Sequence, residues 1–397
     1  MNYEEILAAK AKHIKPSGIR RFFDIAAEME DVISLSVGEP DFKTPWAIRD
    51  AGIQSLEKGR TWYTANAGLA DLKKEICVYL NRRFCLEYNP KDEVMVTVGG
   101  SEGIDICIRA LINPGDEVIV PEPCYVSYAP IAELTGAVVV TVPTQAKNGF
   151  RLTAEELKNA ITPKTKLLIL PFPNNPTGAV MRRVHMEALA EVLRQTNVIV
   201  LSDEIYAELT YGDERHISFP EIDGMRERTI LINGFSKTYA MTGWRLGYAC
   251  GPKEIIKQML KIHQFAIMCA PTTSQYAAIT ALKACDEQVA SMRGEYDMRR
   301  RLLVSELNKM GLTCFEPEGA FYVFPSIAIS GLSSDEFCER LLFEKKVAVV
   351  PGTAFGACGE GFVRVSYSYS ITHLMEAIRR IEDFLKELKN KKSEALR

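Results

Sequence analysis

GFSKTYAMTGWRLGY, residues 234–248, begins where an apolar run, Thr229 to Ile232, leaves off. A continuous apolar run of that length reads as a strand buried on both faces, so Lys237 falls just past the carboxyl end of a buried strand. In open α/β sheets, ligands bind at that edge. Burial near a second cation favours loss of a lysine's proton, which leaves an amine able to form a Schiff base. Ser236 beside it and Arg245 eight residues on suit a phosphate, so a phosphorylated aldehyde would satisfy all three groups.

Two nucleotide-site readings fail on single letters. A P-loop needs glycine directly before the lysine and another five residues earlier, and Ser236 and Leu231 stand there. The dinucleotide fingerprint needs glycine at the first place of 98–103, which Val98 occupies.

Working outward, similar apolar runs recur at Val94 to Val98, Glu117 to Val120, Val138 to Val142, Leu167 to Leu170, Val198 to Ser202 and Leu246 to Cys250, with helical patterns between them. The alternation predicts an α/β fold with a mostly parallel seven-stranded sheet between helices. From about Cys285 a long charged helix runs to Met310, followed by short strands (Ala320 to Phe324, Val347 to Val350, Val363 to Tyr367) and a C-terminal amphipathic helix. This predicts a large domain over 46–285 and a smaller α+β domain over 286–397, on which an N-terminal arm, 1–45, packs.

With 397 residues and 47% hydrophobic content, the chain can bury a large core. A net charge of -3 points away from nucleic-acid partners. Ten cysteines without a CxxC pair or zinc-like histidine spacing read as reduced thiols and no metal site. The polar, acidic start and the lack of any run near the roughly 20 apolar residues of a membrane span predict a cytoplasmic protein.

Four further clusters fall at strand ends. Gly99-Gly100-Ser101-Glu102 opens a helix, whose free N–H groups suit phosphate. Pro173-Asn174-Asn175-Pro176-Thr177-Gly178 follows the fourth strand. In Ser202-Asp203-Glu204-Ile205-Tyr206 a carboxylate closes an apolar strand, which is costly without a partner; a pyridinium nitrogen would serve, and a helix N-cap is the plainer alternative. In Phe362-Val363-Arg364-Val365-Ser366, strand alternation puts Arg364 on the face of Phe362, where its planar fork suits a carboxylate or a structural ion pair.

Together with LSVGEPDF (35–42), PEPCYVSY (121–128) and GAFYVFP (319–325), this set resembles the class I/II aminotransferases, pyridoxal-phosphate enzymes of fold type I. It is nearest to the aspartate, aromatic and N-acetyl-diaminopimelate subgroup. The resemblance implies pyridoxal 5′-phosphate as cofactor, Lys237 as the Schiff-base lysine, and Asp203 against the pyridine nitrogen. It implies Asn175 and Tyr206 on the ring's phenolate oxygen, Tyr125 stacked on the ring, and Gly100, Ser101, Glu102, Ser236 and Arg245 around the phosphate. Tyr63 would join the phosphate from a second subunit of a homodimer. Arg364, with Asn175 and the backbone at Gly38, would hold the substrate carboxylate.

The implied reaction passes an amino group between an L-amino acid (aspartate, aromatic or similar) and a 2-oxo acid, 2-oxoglutarate foremost, in two half-reactions. Arg109 is a candidate for a distal carboxylate, or a charge near its helix's C-terminus. Ile19, Tyr63, His263 and Tyr322 are candidates for the side-chain pocket. A β-eliminating C–S lyase on the same scaffold is the alternative. A non-catalytic regulator would need a DNA-binding segment ahead of the pattern, which here starts within about the first 35 residues.

Overall fold

The computed structural model describes residues 1–16, 18, 25 and 28–395. Strands are numbered along the chain: β1 Ile33–Ser34, β2 Val94–Thr97, β3 Glu117–Glu122, β4 Val138–Pro143, β5 Thr165–Leu170, β6 Ile199–Asp203, β7 Thr229–Gly234, β8 Gly247–Cys250, β9 Tyr322–Val323, β10 Val347–Ala348, β11 Val350–Pro351 and β12 Val363–Ser366. Seven of them form one sheet in the order β2-β8-β7-β6-β5-β3-β4. β8 runs antiparallel to both neighbours, and the remaining pairs are parallel.

Strand periodicity sorts the core onto the sheet's two faces. In β5, Leu167 and Ile169 join Ile104, Ile108, Val118 and Met259 on one side, while Leu168 and Leu170 join Leu157, Met186 and Leu189 on the other. Helices Gly99–Leu111 and Lys253–Ala266 cover the first face, and Ala154–Ala160 and Arg183–Arg194 the second. Each fully buried Leu or Ile contributes about 2 kcal/mol.

The smaller α+β part carries the antiparallel sheet β11-β12-β9 and the parallel pair β1-β10, with helices Asp286–Lys309, Ser334–Lys345 and Ile371–Ala395. The N-terminal arm thus adds β1 to C-terminal residues, Ile33 opposite Val347 and Ser34 opposite Ala348. Beyond β1 the chain crosses to the large sheet. Thr44 Oγ1 donates to the Ala240 carbonyl at 2.6 Å, and Asp41 accepts from Arg299 at 2.8 Å. Before them, the Gly38 carbonyl accepts from Lys237 Nζ, just past the carboxyl end of β7. No helix among the described residues is long and apolar enough to cross a membrane.

Candidate active site

The return from β7 to the antiparallel β8 spans 235–246, so the stretch 234–248 folds back on itself at the carboxyl edge of the sheet. It brings Ser236, Lys237, Thr242 and Arg245 to the wall of a cavity of about 330 Å³. The ends of β2, β5 and β6 supply Gly100 and Ser101, Asn175, and Asp203 to the same cavity, and β12 supplies Arg364.

Lys237 reaches across to the crossing segment, where Nζ donates to the Gly38 carbonyl at 2.5 Å. Burial pulls its pKa down to about 8; Arg364 and Arg245 act in the same direction, against Glu39 and Asp203. Near neutral pH a useful share of the amine is therefore unprotonated, as a nucleophile or general base requires.

Asp203 closes β6 and is buried. Its Oδ2 accepts from the Tyr128 hydroxyl at 2.7 Å and Oδ1 from the Ile205 N–H at 3.2 Å. The latter bond is a local turn, and no helix follows, so the N-cap alternative does not apply. Burial pushes the carboxyl up to about 6, with both hydrogen bonds opposing. No cation among the described residues forms an ion pair with it, so a cationic N–H in the cavity would stabilise its charged form.

One end of the cavity suits an anion. Helix Gly99–Leu111 points its first turn there, with free N–H groups and a partial positive charge. Gly99 has φ +74°, and a Cβ on it would lie 2.7 Å from Arg245 Nη2, so the guanidinium rests on a surface only glycine leaves open. Arg245 itself donates to the Thr242 carbonyl at 2.8 Å and has no carboxylate partner among the described residues.

The opposite end is built around Arg364, which is 2% exposed. Nη1 donates to Asn175 Oδ1 at 3.0 Å and Nη2 to the Ser36 carbonyl. Nε is buried without a partner. The guanidinium lies 4.5 Å from the Tyr322 ring and 5.0 Å from that of Phe355. Burial lowers its pKa, and no carboxylate pairs with it among the described residues. Tyr206 and Tyr322 share a 2.9 Å hydroxyl contact beside it. A Cβ on Gly38 would fall 2.4 Å from the Tyr322 hydroxyl, so glycine is what lets the crossing segment run this close.

Of the residues singled out in the sequence, Gly38, Gly100, Ser101, Tyr125, Asn175, Asp203, Tyr206, Ser236, Lys237, Tyr322, Arg245 and Arg364 all line this cavity. Glu102 does not: its carboxylate turns back to the Val98 N–H and to His263 Nδ1. His263 is fully buried by that contact, away from the cavity. Arg109 pairs with Asp105 one turn earlier, and Tyr63 is 75% exposed, outside the cavity of its own chain. Ile19 lies outside the described residues. Sequence reading missed Tyr128 and Thr242. Tyr128 stands three places after Tyr125 in PEPCYVSY, where the two rings meet edge to face at 5.6 Å; a second tyrosine at near-helical spacing was the available signal.

An amine, a cation-seeking carboxylate, an anion cradle and an unpaired buried guanidinium thus surround one space. Comparison with known proteins agrees with that chemistry. The family model for aminotransferase class I and II matches residues 30–381. The chain is 53% identical to YugH of Bacillus subtilis, whose assignment as an aminotransferase is itself provisional, over 96% of this chain and 98% of that protein. It is 47% identical to an aspartate aminotransferase of Pyrococcus abyssi, over 95% and 97% respectively. The solved aromatic aminotransferase of Pyrococcus horikoshii matches with a TM-score of 0.89 at 45% identity, covering 94% of this chain and 99% of that one. A match of this extent, on a chain whose strand ends converge on one lysine, makes it a member of the class I and II aminotransferases.

Proposed function

We propose that this aminotransferase passes the amino group of an L-amino acid, aspartate or an aromatic one foremost, to 2-oxoglutarate, with pyridoxal 5′-phosphate as cofactor and Lys237 as the residue it condenses with. The observation that carries the reading is Arg364, a fully buried guanidinium with one free nitrogen and no protein carboxylate. Left so, it is an uncompensated buried charge costing several kcal/mol; an α-carboxylate common to amino and oxo acids would supply its bidentate partner.

The cofactor fits the remaining groups. Asp203 lacks a cation, which a pyridine N–H would provide, and the Gly100, Ser101, Ser236 and Arg245 end suits its phosphate. When bound, pyridoxal phosphate supplies an aldehyde for an amine to condense with and a ring that takes up charge from the substrate's Cα.

The chain's own residues do the rest. With the cofactor bound, Lys237 Nζ would serve as the base that takes the Cα proton and would hand it on to the cofactor's aldehyde carbon. Asp203 would hold a proton at the ring nitrogen. The Asn175 amide N–H and the Tyr206 hydroxyl would hold the ring's phenolate oxygen, and Tyr125 would cover the ring. Tyr63, exposed in its own chain, would reach the phosphate held by a second copy in a homodimer.

The reading is tested by incubating the protein and pyridoxal phosphate with single L-amino acids and 2-oxoglutarate, and measuring glutamate. Transfer from aspartate or an aromatic donor is expected. No transfer from any common donor would overturn it, and pyruvate released from cystathionine without an oxo acid would instead favour elimination.

A further inference from the structure

We propose that Glu102 and His263 form a positioning pair for the anion end of the cavity, setting its preference for a phosphorylated over an unphosphorylated ligand. The inference rests on the cofactor reading above. Neither side chain lines the cavity. Glu102 belongs to the first turn of helix Gly99–Leu111. Its Oε2 accepts the N–H of Val98, the residue just before that helix, and its Oε1 accepts from His263 Nδ1 at 2.6 Å. The side chains are 10% and 0% exposed, and His263 Nε2 has no partner, so the Glu102 contact is the only polar one its ring makes among the described residues.

The turn they hold needs holding. No side chain caps the helix from Val98, and two consecutive glycines, Gly99 and Gly100, leave the backbone free to take many conformations. Two bonds restrict it: Glu102 to the Val98 N–H, and Thr97 Oγ1 to the Gly99 carbonyl at 2.9 Å. Those bonds fix where the N–H groups of Gly100 and Ser101 point and the surface on which Arg245 rests.

Charge gives the pair a second effect. A first-turn carboxylate is favourable at a helix N-terminus, yet it repels a phosphate bound at the same place. With one oxygen on Val98 and the other on His263, Glu102 stays turned away from the anion. Without His263 it is free to swing toward it. Asp203 ends β6 and Lys237 lies on the β7–β8 return, and neither bonds to the pair, so only the phosphate end should respond.

Purified protein is titrated with pyridoxal phosphate and with pyridoxal, followed by absorbance. Wild type should bind the phosphorylated aldehyde more tightly. H263L, which removes the donor, should weaken pyridoxal phosphate about tenfold, the size of one buried hydrogen bond, and leave pyridoxal within about twofold. H263N, which keeps an N–H donor, should restore the wild-type ratio. If H263L does not fold, H263F, which also removes the donor and keeps a ring in the buried position, carries the same expectation. An unchanged ratio, or equal losses for both ligands, overturns the proposal. Wild type that binds neither ligand overturns the cofactor reading and this inference with it.

Discussion

The Tyr128 hydroxyl donates to Asp203 Oδ2 at 2.7 Å, and it is the only side chain among the described residues seen to hold that carboxylate. Burial raises Asp203 from 3.8 to about 6 despite this bond. The sign of the consequence follows from proton counting. Between about pH 4 and pH 6 the folded, cofactor-free protein holds a proton that the unfolded chain has lost, so Asp203 makes stability fall as pH rises through that window. The slope is at most about 1.4 kcal/mol per pH unit. Thermal unfolding of the cofactor-free protein at pH 4.5 and 6.5 should therefore lose less stability in D203N than in wild type. Equal losses would place the Asp203 titration near its ordinary value.

Lys237 titrates from the opposite side. Its pKa near 8 comes from burial first and from Arg364 and Arg245 second, so its reactive neutral form should grow through pH 8 rather than 10.5. The initial rate of borohydride-trapped labelling by pyridoxal phosphate, with the site located by mass spectrometry, should rise with a midpoint near 8 and vanish in K237A. A midpoint near 10 would mean that the amine is solvated.

How far the sequence carried depends on how local each signal was. The runs of β2 to β8 were legible because a strand buried on both faces must be apolar throughout, and their ends were marked by polar or glycine residues that such a strand does not tolerate. Lys237 and Arg245 came together because a single return of chain holds both. The reversal of β8 was not legible, since an apolar run carries no direction. Glu102 and His263 are 161 residues apart and meet only because two helices pack on one sheet face, so each was misread as a cavity residue. Tyr128 was overlooked for the same reason: its partner, Asp203 at the end of β6, lies 75 residues away in the chain.

Arg109 tests the local reading against the functional one. Its Nε is bound to both oxygens of Asp105 at 2.9 and 2.8 Å, and its side chain is 48% exposed outside the cavity. An exposed pair at this helical spacing is worth about 0.5 kcal/mol or less. R109A should therefore leave kcat/KM for aspartate and for 2-oxoglutarate within about twofold, and the melting temperature within a degree or two. A tenfold loss confined to dicarboxylic substrates would return Arg109 to the site.

Arg364 offers the sharpest separation of function from stability. If its charge is there for a substrate carboxylate, removing it should cost about 2–5 kcal/mol of transition-state binding, a fall in kcat/KM of thirtyfold or more carried largely by KM. R364K should not rescue, because an ammonium cannot reproduce the planar fork that reaches Asn175 and Ser36 together. The folded protein without substrate should respond in the other direction. Replacing a buried cation that lacks an ionic partner with a leucine is often neutral or stabilising, so R364L should unfold at the same temperature as wild type or higher, measured by calorimetry without ligand. The two measurements have to be read together. Weak substrate binding with unimpaired stability assigns the guanidinium to the carboxylate, whereas a melting temperature lowered by several degrees would make Arg364 a strut between Asn175 and the Ser36 backbone, and the loss of activity a consequence of disorder.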